Sequence, residues 1–420
     1  MTSALVPPAG PSRVLAVAQL TNSVGDGAYY VTSALYFTRV IGLSPAQVGL
    51  GLTISWAVGF LAATPLGHLA DRHGPRATAI LLALATSAFV GSFLFARSFP
   101  AFVLVACLYA SSQCGLTAAR QALLAGLVTA AERTRIRAYL QSATNAGLAV
   151  GAALGGIALR VDTPAAYLTV FGMDAVAFLA SAAVLRRAPH VPPAPAVTGR
   201  EPKLAVLRDA PYAVVSFLNM LMLLHIPLIG LAIPLWIVER TQAPTWLVSA
   251  MLVLNTLSVV AFQVRIARRV TGTATASRSV RRAGLVLLAS CAVFAVSAAG
   301  GSPWVAAAVL LVAAGLQTLG EMMQNAGGWE IGFALAPAGK QGQYQGFFGS
   351  GFAVARMLGP LLLTTLVLSW GPLGWLLLGG VFAAAGVAMG PATRWAERTR
   401  QDADTDSPQR TRLVGSSVDG

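Results

Sequence analysis

Four ionisable residues stand inside long apolar runs, and each demands a chemical reason: Asp26, Asp174, Glu321 and Arg356. A charged Asp at the centre of a membrane helix costs about 2.5–3.5 kcal/mol on insertion scales, so such a residue marks an ion pathway or is paired. A carboxyl in a low-dielectric setting can bind and release a proton near neutral pH, which is what proton coupling requires. Asp26, set between Gly25 and Gly27 and followed by Tyr29 and Tyr30, is one candidate for that role, and Glu321 is the other. Asp174 reads as a structural acid that bonds a neighbouring helix. Arg356 calls for a partner, either one of these carboxylates or an anionic substrate. Asn22, Asn145, His225 and Trp236, together with the two tyrosines, Gln113 and Gln317, offer polar or aromatic contacts to a small molecule. A lone histidine, however, is more often a satisfied packing residue than a ligand.

Other chemistries are poorly provided for. The chain has two lysines, Lys203 and Lys340, and no G-x-x-x-x-G-K-[ST] loop, so energy is expected from a proton gradient with no cofactor. His68, His73 and His190 lack metal-ligand or triad spacing. Cys107, Cys114 and Cys291 lie inside apolar runs and match no disulfide or metal framework. No metal is expected.

These residues must be positioned by elements that live in lipid. Of 420 residues, 56% are hydrophobic and only 10% charged, and the mean hydropathy is +0.69. A soluble chain carries about 25% charged residues. The net charge of +14 does not point to nucleic acid, because the arginines fall in short tracts between apolar runs and build no basic face.

Apolar runs of spanning length occur near 14–38, 45–66, 77–96, 100–121, 137–159 and 165–185, then near 211–238, 244–264, 281–300, 303–327, 344–369 and 372–391. The expectation is an all-α polytopic membrane protein of about twelve helices, six plus six. Residues 1–186 form the first bundle, 187–210 a Pro/Ala-rich linker and 211–392 the second bundle. Residues 393–420, with Asp402, Asp404 and Asp406, read as a disordered tail. The first residues carry no cleavable signal pattern, so the first run is retained. With both termini cytoplasmic, only Arg39, Arg97, Arg160 and Arg240 of the 29 cations fall outside, while Arg120 and Arg356 lie near or in a span. The positive-inside bias therefore favours N-in, C-in.

The sharpest motif is Gly67-His-Leu-Ala-Asp71-Arg72-His-Gly74-Pro-Arg76, read as a short link between the second and third helices. Gly67 permits close helix approach, Gly74 a tight turn, and Asp71, Arg72 and Arg76 supply charge-assisted bonds. A second pattern puts Gly147, Gly151, Gly155 and Gly156 in helix 5. The stretch Gly147–Leu159 also aligns with Gly351–Leu363 at an offset of 204, with six identities in thirteen. Two parallel six-helix repeats would produce that match.

The motif Gly67–Arg76 resembles the signature loop of the major facilitator superfamily, G-x-L-A-D-R-x-G-x-R. The glycines of helix 5 resemble that superfamily's antiporter motif, with Ala152 where the motif has proline. Thr318-Leu-Gly-Glu321, with Leu335-Ala336-Pro337 and Gly342-Gln-Tyr344 after it, is similar to the corresponding region of several proton-coupled members. The resemblance spans about residues 13–392. It implies alternating access, a latch at Gly67–Arg76, cavity-lining roles for helices 1 and 10, and a monomer.

Arg-rich, Lys-poor usage points to a high-GC bacterium and its cytoplasmic membrane. The resulting expectation is proton antiport that exports small organic molecules such as drugs or secondary metabolites. The alternative is proton-coupled uptake of peptides or other nutrients. Gly25–Tyr30 resembles the Phe-x-Tyr-Tyr ending of the first helix of oligopeptide symporters but lacks their preceding E-x-x-E-R. A polytopic enzyme or scaffold is the least supported reading.

Overall fold

The computed structural model describes residue 7 and residues 9–194, 204–299 and 302–405. Twelve long helices account for nearly all of them, and no strand occurs among the described residues. The first half comprises α1 (Pro11–Leu35), α2 (Pro45–His73), α3 (Pro75–Phe95), α4 (Phe99–Leu127), α5 (Ala130–Val161) and α6 (Pro164–Leu185). The second comprises α7 (Ala210–Arg240), α8 (Leu247–Ala267), α9 (Thr273–Val296), α10 (Pro303–Ala334), α11 (Gln341–Leu363) and α12 (Pro372–Thr405).

The helix starts are dictated locally. Proline opens α1, α2, α3, α6, α10 and α12, where its missing N–H would be unsatisfied anyway. Ser44 and Gln47 close a reciprocal capping box at the start of α2, and Ser98 and Thr163 cap α4 and α6. Breaks have equally local causes. Pro227 and Pro234 sit where α7 loosens into 3-10 and π turns. Pro360, which has no N–H to give, lies between Ala338–Gly359 and Leu361–Ser369, which meet at 53°.

Among the described residues, ten helices are long and apolar enough to cross a membrane, or eleven with that bent pair counted as one span. Twelve spans were expected. The helix that fails is α1, which is 25 residues long but has Gln19, Thr21, Asn22, Ser23 and Asp26 in its middle. Most of these polar residues are buried inside the protein, so hydropathy alone undervalues the helix.

Each half has its own aromatic core. In the first, Tyr29, Tyr36, Phe37, Phe93, Phe102 and Phe171 interlock, with Tyr36 and Phe171 centroids 4.3 Å apart. In the second, Phe294 stacks on Trp375 at 4.7 Å and Trp236 meets Trp375 edge-on at 5.8 Å. Leu61, Phe95, Leu104, Ile157, Leu257 and Leu373 stand outward and exposed, as a lipid-facing surface requires.

The repeat is visible as packing. A side chain on Gly147, Gly151 or Gly155 would collide with Ser23, Val24 or Ala28 of α1. On the equivalent helix α11, Gly351 and Gly359 abut Met220 and Pro227 of α7.

Three expectations are corrected. The Gly67–Arg76 motif is not a loop: Gly67 to His73 complete α2, and only Gly74, at φ +89°, separates it from α3. The stretch after 393 is not disordered at its start, because α12 continues as helix to Thr405; 406–420 lie outside the described residues. That extension is tied down, since Arg400 meets Asp209 at 2.9 Å and lies over the rings of Tyr212 and Tyr344. The linker, finally, is docked at its start. Ala194 N–H donates to the Asp71 carbonyl at 2.9 Å, and Val191 lies against Gly126. Residues 195–203 are outside the described residues.

Candidate functional site

The two halves meet most tightly at the end that carries both termini. There Gly67 of α2 faces Gly342 of α11 so closely that a side chain on either would strike the other's carbonyl. Gly346 sits equally close on the Ala63 carbonyl. The Asp71 carboxylate accepts the backbone N–H of Gly342 at 2.6 Å and of Gln343 at 2.9 Å. These are orphan donors in the first turn of α11, where negative charge is favoured by the helix dipole. Arg76 donates to the Arg186 carbonyl and ties α3 to the end of α6. Arg72 is exposed, with no bond found for it among the described residues, so its expected bonding role is not seen.

A second closure at this end is not apparent from sequence. Thr134 of α5 donates to Glu330 of α10 at 2.5 Å, and the Arg137 guanidinium lies 4.8 Å from the Trp329 ring. A tenth helix ending near 327, as its apolar run suggests, would leave Glu330 in a loop. The run Trp329-Glu330-Ile331 continuing a helical face is the signal that could have found it.

Further in, the polar residues form separate clusters at similar depth. Asp26 and Arg356 each lie 15 residues from the start of their helices (11 to 26, 341 to 356), about 22 Å along the axis at 1.5 Å per residue. The Asp26 carboxylate accepts from Asn22 Nδ2 at 3.0 Å and from Gln113 Nε2 of α4 at 3.1 Å. Gln113 also reaches the Tyr109 hydroxyl at 3.0 Å. Arg120, further along α4, donates to Gln19 at 3.2 Å and to Ser181 of α6 at 2.8 Å, and its charge acts on Asp26. Asp174 of α6 is wholly buried behind Gly25, and neither of its oxygens has a hydrogen-bond partner among the described residues. The helix-bonding role expected for it is therefore absent.

In the other half, Glu321 accepts from Asn255 Nδ2 of α8 at 2.9 Å, and the same amide reaches Thr318 at 3.2 Å. His225 is buried on α7 near Gln324 and within the field of Glu321. The structure thus keeps Asp26 and Glu321 apart, each with an amide donor from a neighbouring helix.

Of the two kinds of partner expected for Arg356, a protein carboxylate is not seen: none lies within ion-pair distance of it among the described residues. Its guanidinium is instead 4.4 Å from the Tyr30 ring centroid and 4.8 Å from those of Trp56 and Phe352. Aromatic faces attract a cation through the ring quadrupole, which sequence cannot register as pairing. Tyr30 and Trp56 belong to one half, and Phe352 and Arg356 to the other, so this cage spans the cleft.

The remaining candidates fall outside it. Tyr29 is buried among Phe93, Tyr109 and Phe171. Trp236 is fully buried, with its indole N–H on Ser297 at 2.9 Å, so it too is a packing residue. Asn145 bonds its own helix, donating to the Gln141 carbonyl at 3.1 Å. Gly147, Gly151 and Gly155 seat α5 against α1, whereas Gly156 faces open space and takes no part. No group of three or more metal-ligating side chains occurs among the described residues.

The family model for the Major Facilitator Superfamily matches residues 15–360, most of the chain. The chain belongs to the major facilitator superfamily. Its fold is shared by solved transporter structures at low identity. A bacterial homologue of the iron transporter ferroportin, in an outward-facing state, superposes with a TM-score of 0.71 at 16% identity, covering 92% of this chain and 99% of that one. A human organic anion transporter gives 0.67 at 18%, over 90% and 98%. A proton:xylose symporter gives 0.69 at 12%, over 90% and 94%. Likeness at these identities establishes the fold of this superfamily member and nothing finer. Among curated protein sequences none matches it.

Proposed function

We propose that this superfamily transporter exports small amphipathic organic molecules by proton antiport across a bacterial cytoplasmic membrane, with both termini in the cytoplasm. The observation that carries the reading is Asp26. It is a desolvated carboxylate at mid-helix depth, held by two amide donors rather than a neutralising ion pair, and flanked by the charges of Arg120 and Arg356. A carboxyl in such a low-dielectric setting can bind and release a proton, as coupling requires. Closure at the terminal end supports alternating access, in which rocking of the halves breaks the Asp71 and Glu330 contacts and closes the cleft on the other side.

The test is proton flux in energised inside-out vesicles, read with a pH-sensitive dye across a panel of antibiotics, dyes and dipeptides. Substrate-triggered proton release from the lumen that Asp26→Asn abolishes is the expected result. Retained uphill transport in that variant would remove Asp26 from the mechanism.

One observation favours a second reading, proton symport. Arg356 offers a positive charge with no protein carboxylate on it. A substrate anion bound there and a proton at Asp26 would attract each other, and mutually favourable binding drives co-transport, whereas antiport requires substrate and proton to exclude each other. Proton movement with the substrate, rather than against it, would decide for this reading.

A further inference from the structure

We infer that Arg356 and its three aromatic neighbours form the seat for the carboxylate of a ring-bearing, monoanionic substrate. The inference rests on the reading of the cleft as a transport path, narrows its cargo, and goes with the symport reading of the coupling rather than with antiport.

A guanidinium at mid-membrane depth is expensive unless something compensates it. Here the compensation comes from π faces, at 4.4 Å from Tyr30 and 4.8 Å from Trp56 and Phe352. Those faces attract the charge but accept few of the five in-plane N–H donors of the guanidinium. The Tyr30 hydroxyl acts on the guanidinium as a hydrogen-bond acceptor. Asp26, the carboxylate whose charge acts on Arg356, is already engaged with Asn22 and Gln113.

The planar fork therefore keeps donors for a bidentate acceptor, and a carboxylate matches that geometry. The surroundings specify the rest of the ligand. Tyr30 and Phe352 are both 38% exposed although they lie between the halves, and Trp56 is half-buried beside them. These partly bare rings offer a stacking surface for an aromatic or flat apolar body. An inorganic anion would use the fork and waste the rings. A cation would use the rings but meet the guanidinium charge head-on. Because the cage draws on α1 and α2 from one half and α11 from the other, an occupant touches both bodies that move.

The competing account is that the rings merely bury Arg356 as a structural plug. Calorimetry on the full-length protein in lipid nanodiscs separates the two, with 2-naphthoate, uncharged 2-naphthamide and cationic 2-naphthylmethylammonium as probes. Naphthoate is expected to bind at least about tenfold more tightly than the amide, the size of effect a charge-assisted bidentate pair provides, and the ammonium not at all.

Arg356→Gln, in protein that stays monodisperse, should abolish the preference for naphthoate over the amide. Arg356→Lys should keep part of it, since the charge remains and the fork is lost. Tyr30→Leu with Phe352→Leu should weaken naphthoate and amide alike while leaving their ratio. Equal or tighter binding of the amide or the ammonium would overturn the inference. So would no binding of any probe, or naphthoate binding that survives Arg356→Gln unchanged. Naphthoate binding without any proton flux in vesicles would instead sink the coupling proposal and leave this one standing. Proton flux with cationic drugs but no naphthoate binding would do the reverse.

Discussion

Asp71 spends both carboxylate oxygens on backbone donors of the opposite half, one on Gly342 and one on Gln343. Asp71→Asn keeps the size but replaces one acceptor with an amide donor that would face an N–H. The expected outcome is turnover lowered several-fold with substrate affinity nearly unchanged, measured by comparing transport rate and equilibrium binding in one preparation. Loss of binding with normal turnover would show that the residue is no latch. The far end behaves differently. Arg39 pairs with Asp162 at 2.5 Å, and the Tyr167 hydroxyl donates to the same carboxyl. Those two partners, the hydroxyl first, hold the Asp162 carboxyl below the usual carboxylate range. A depressed folded-state value contributes stability above the unfolded value of about 3.9, lost only as pH falls through the lower folded value. Asp162→Asn should therefore change thermal stability by the same amount at every pH from about 5 to about 8. A change that grows towards the acid end would contradict this. Asp26, Glu321 and Arg356 were legible because charge inside an apolar run is conspicuous. Their partners were not: Gln113 and Asn255 come from other helices, and the face of an aromatic ring carries no formal charge to count.

Helix α1 shows why elements are read more easily than their surfaces. Its length and its proline start are plain in the sequence, yet its packing rests on the absence of side chains in α5. Adding a Cβ at Gly151 would strike the Val24 carbonyl. Overpacking of this kind costs about 1–3 kcal/mol. Gly151→Ala should lower the melting temperature in detergent, whereas Gly156→Ala, which faces open space, should raise it slightly through helix propensity worth up to about 1 kcal/mol. Equal effects at the two sites would show that α5 does not seat α1 as described. Glycine spacing alone could not separate these two positions, because which face turns inward depends on the neighbour. Helix ends were hard to place for a related reason. Charge following an apolar run marks the exit from lipid, not the end of the helix. The residues from His68 to His73, and those beyond 393, stay helical because Asp71 and Arg400 find partners on other elements.

At the scale of the whole molecule, the fold itself was legible: an all-helical chain in two six-helix halves follows from run lengths, the repeat and the Gly67–Arg76 motif. The conformational state was not, since it lies in contacts between halves. Gly67→Leu would place a side chain where the Gly342 backbone now lies and should drive the terminal ends apart. Spin labels at Arg72→Cys and Ala338→Cys, with Cys107, Cys114 and Cys291 replaced, should report a longer mean distance in that variant by double electron–electron resonance. An unchanged distance would mean that these helices do not form the closure.

The asymmetry of that closure bears on mutational tolerance. One half contributes a side chain, Asp71, and the other contributes only main-chain N–H groups, which every residue except proline possesses. Position 343 makes its bond to Asp71 through its backbone whatever its side chain, although the Gln343 side chain is itself buried and accepts the Val206 N–H at 3.5 Å. Position 342 lacks that freedom, because its neighbour Gly67 leaves room for hydrogen alone. One face of the joint thus depends on a single side chain, and the other on main chain and the absence of a side chain.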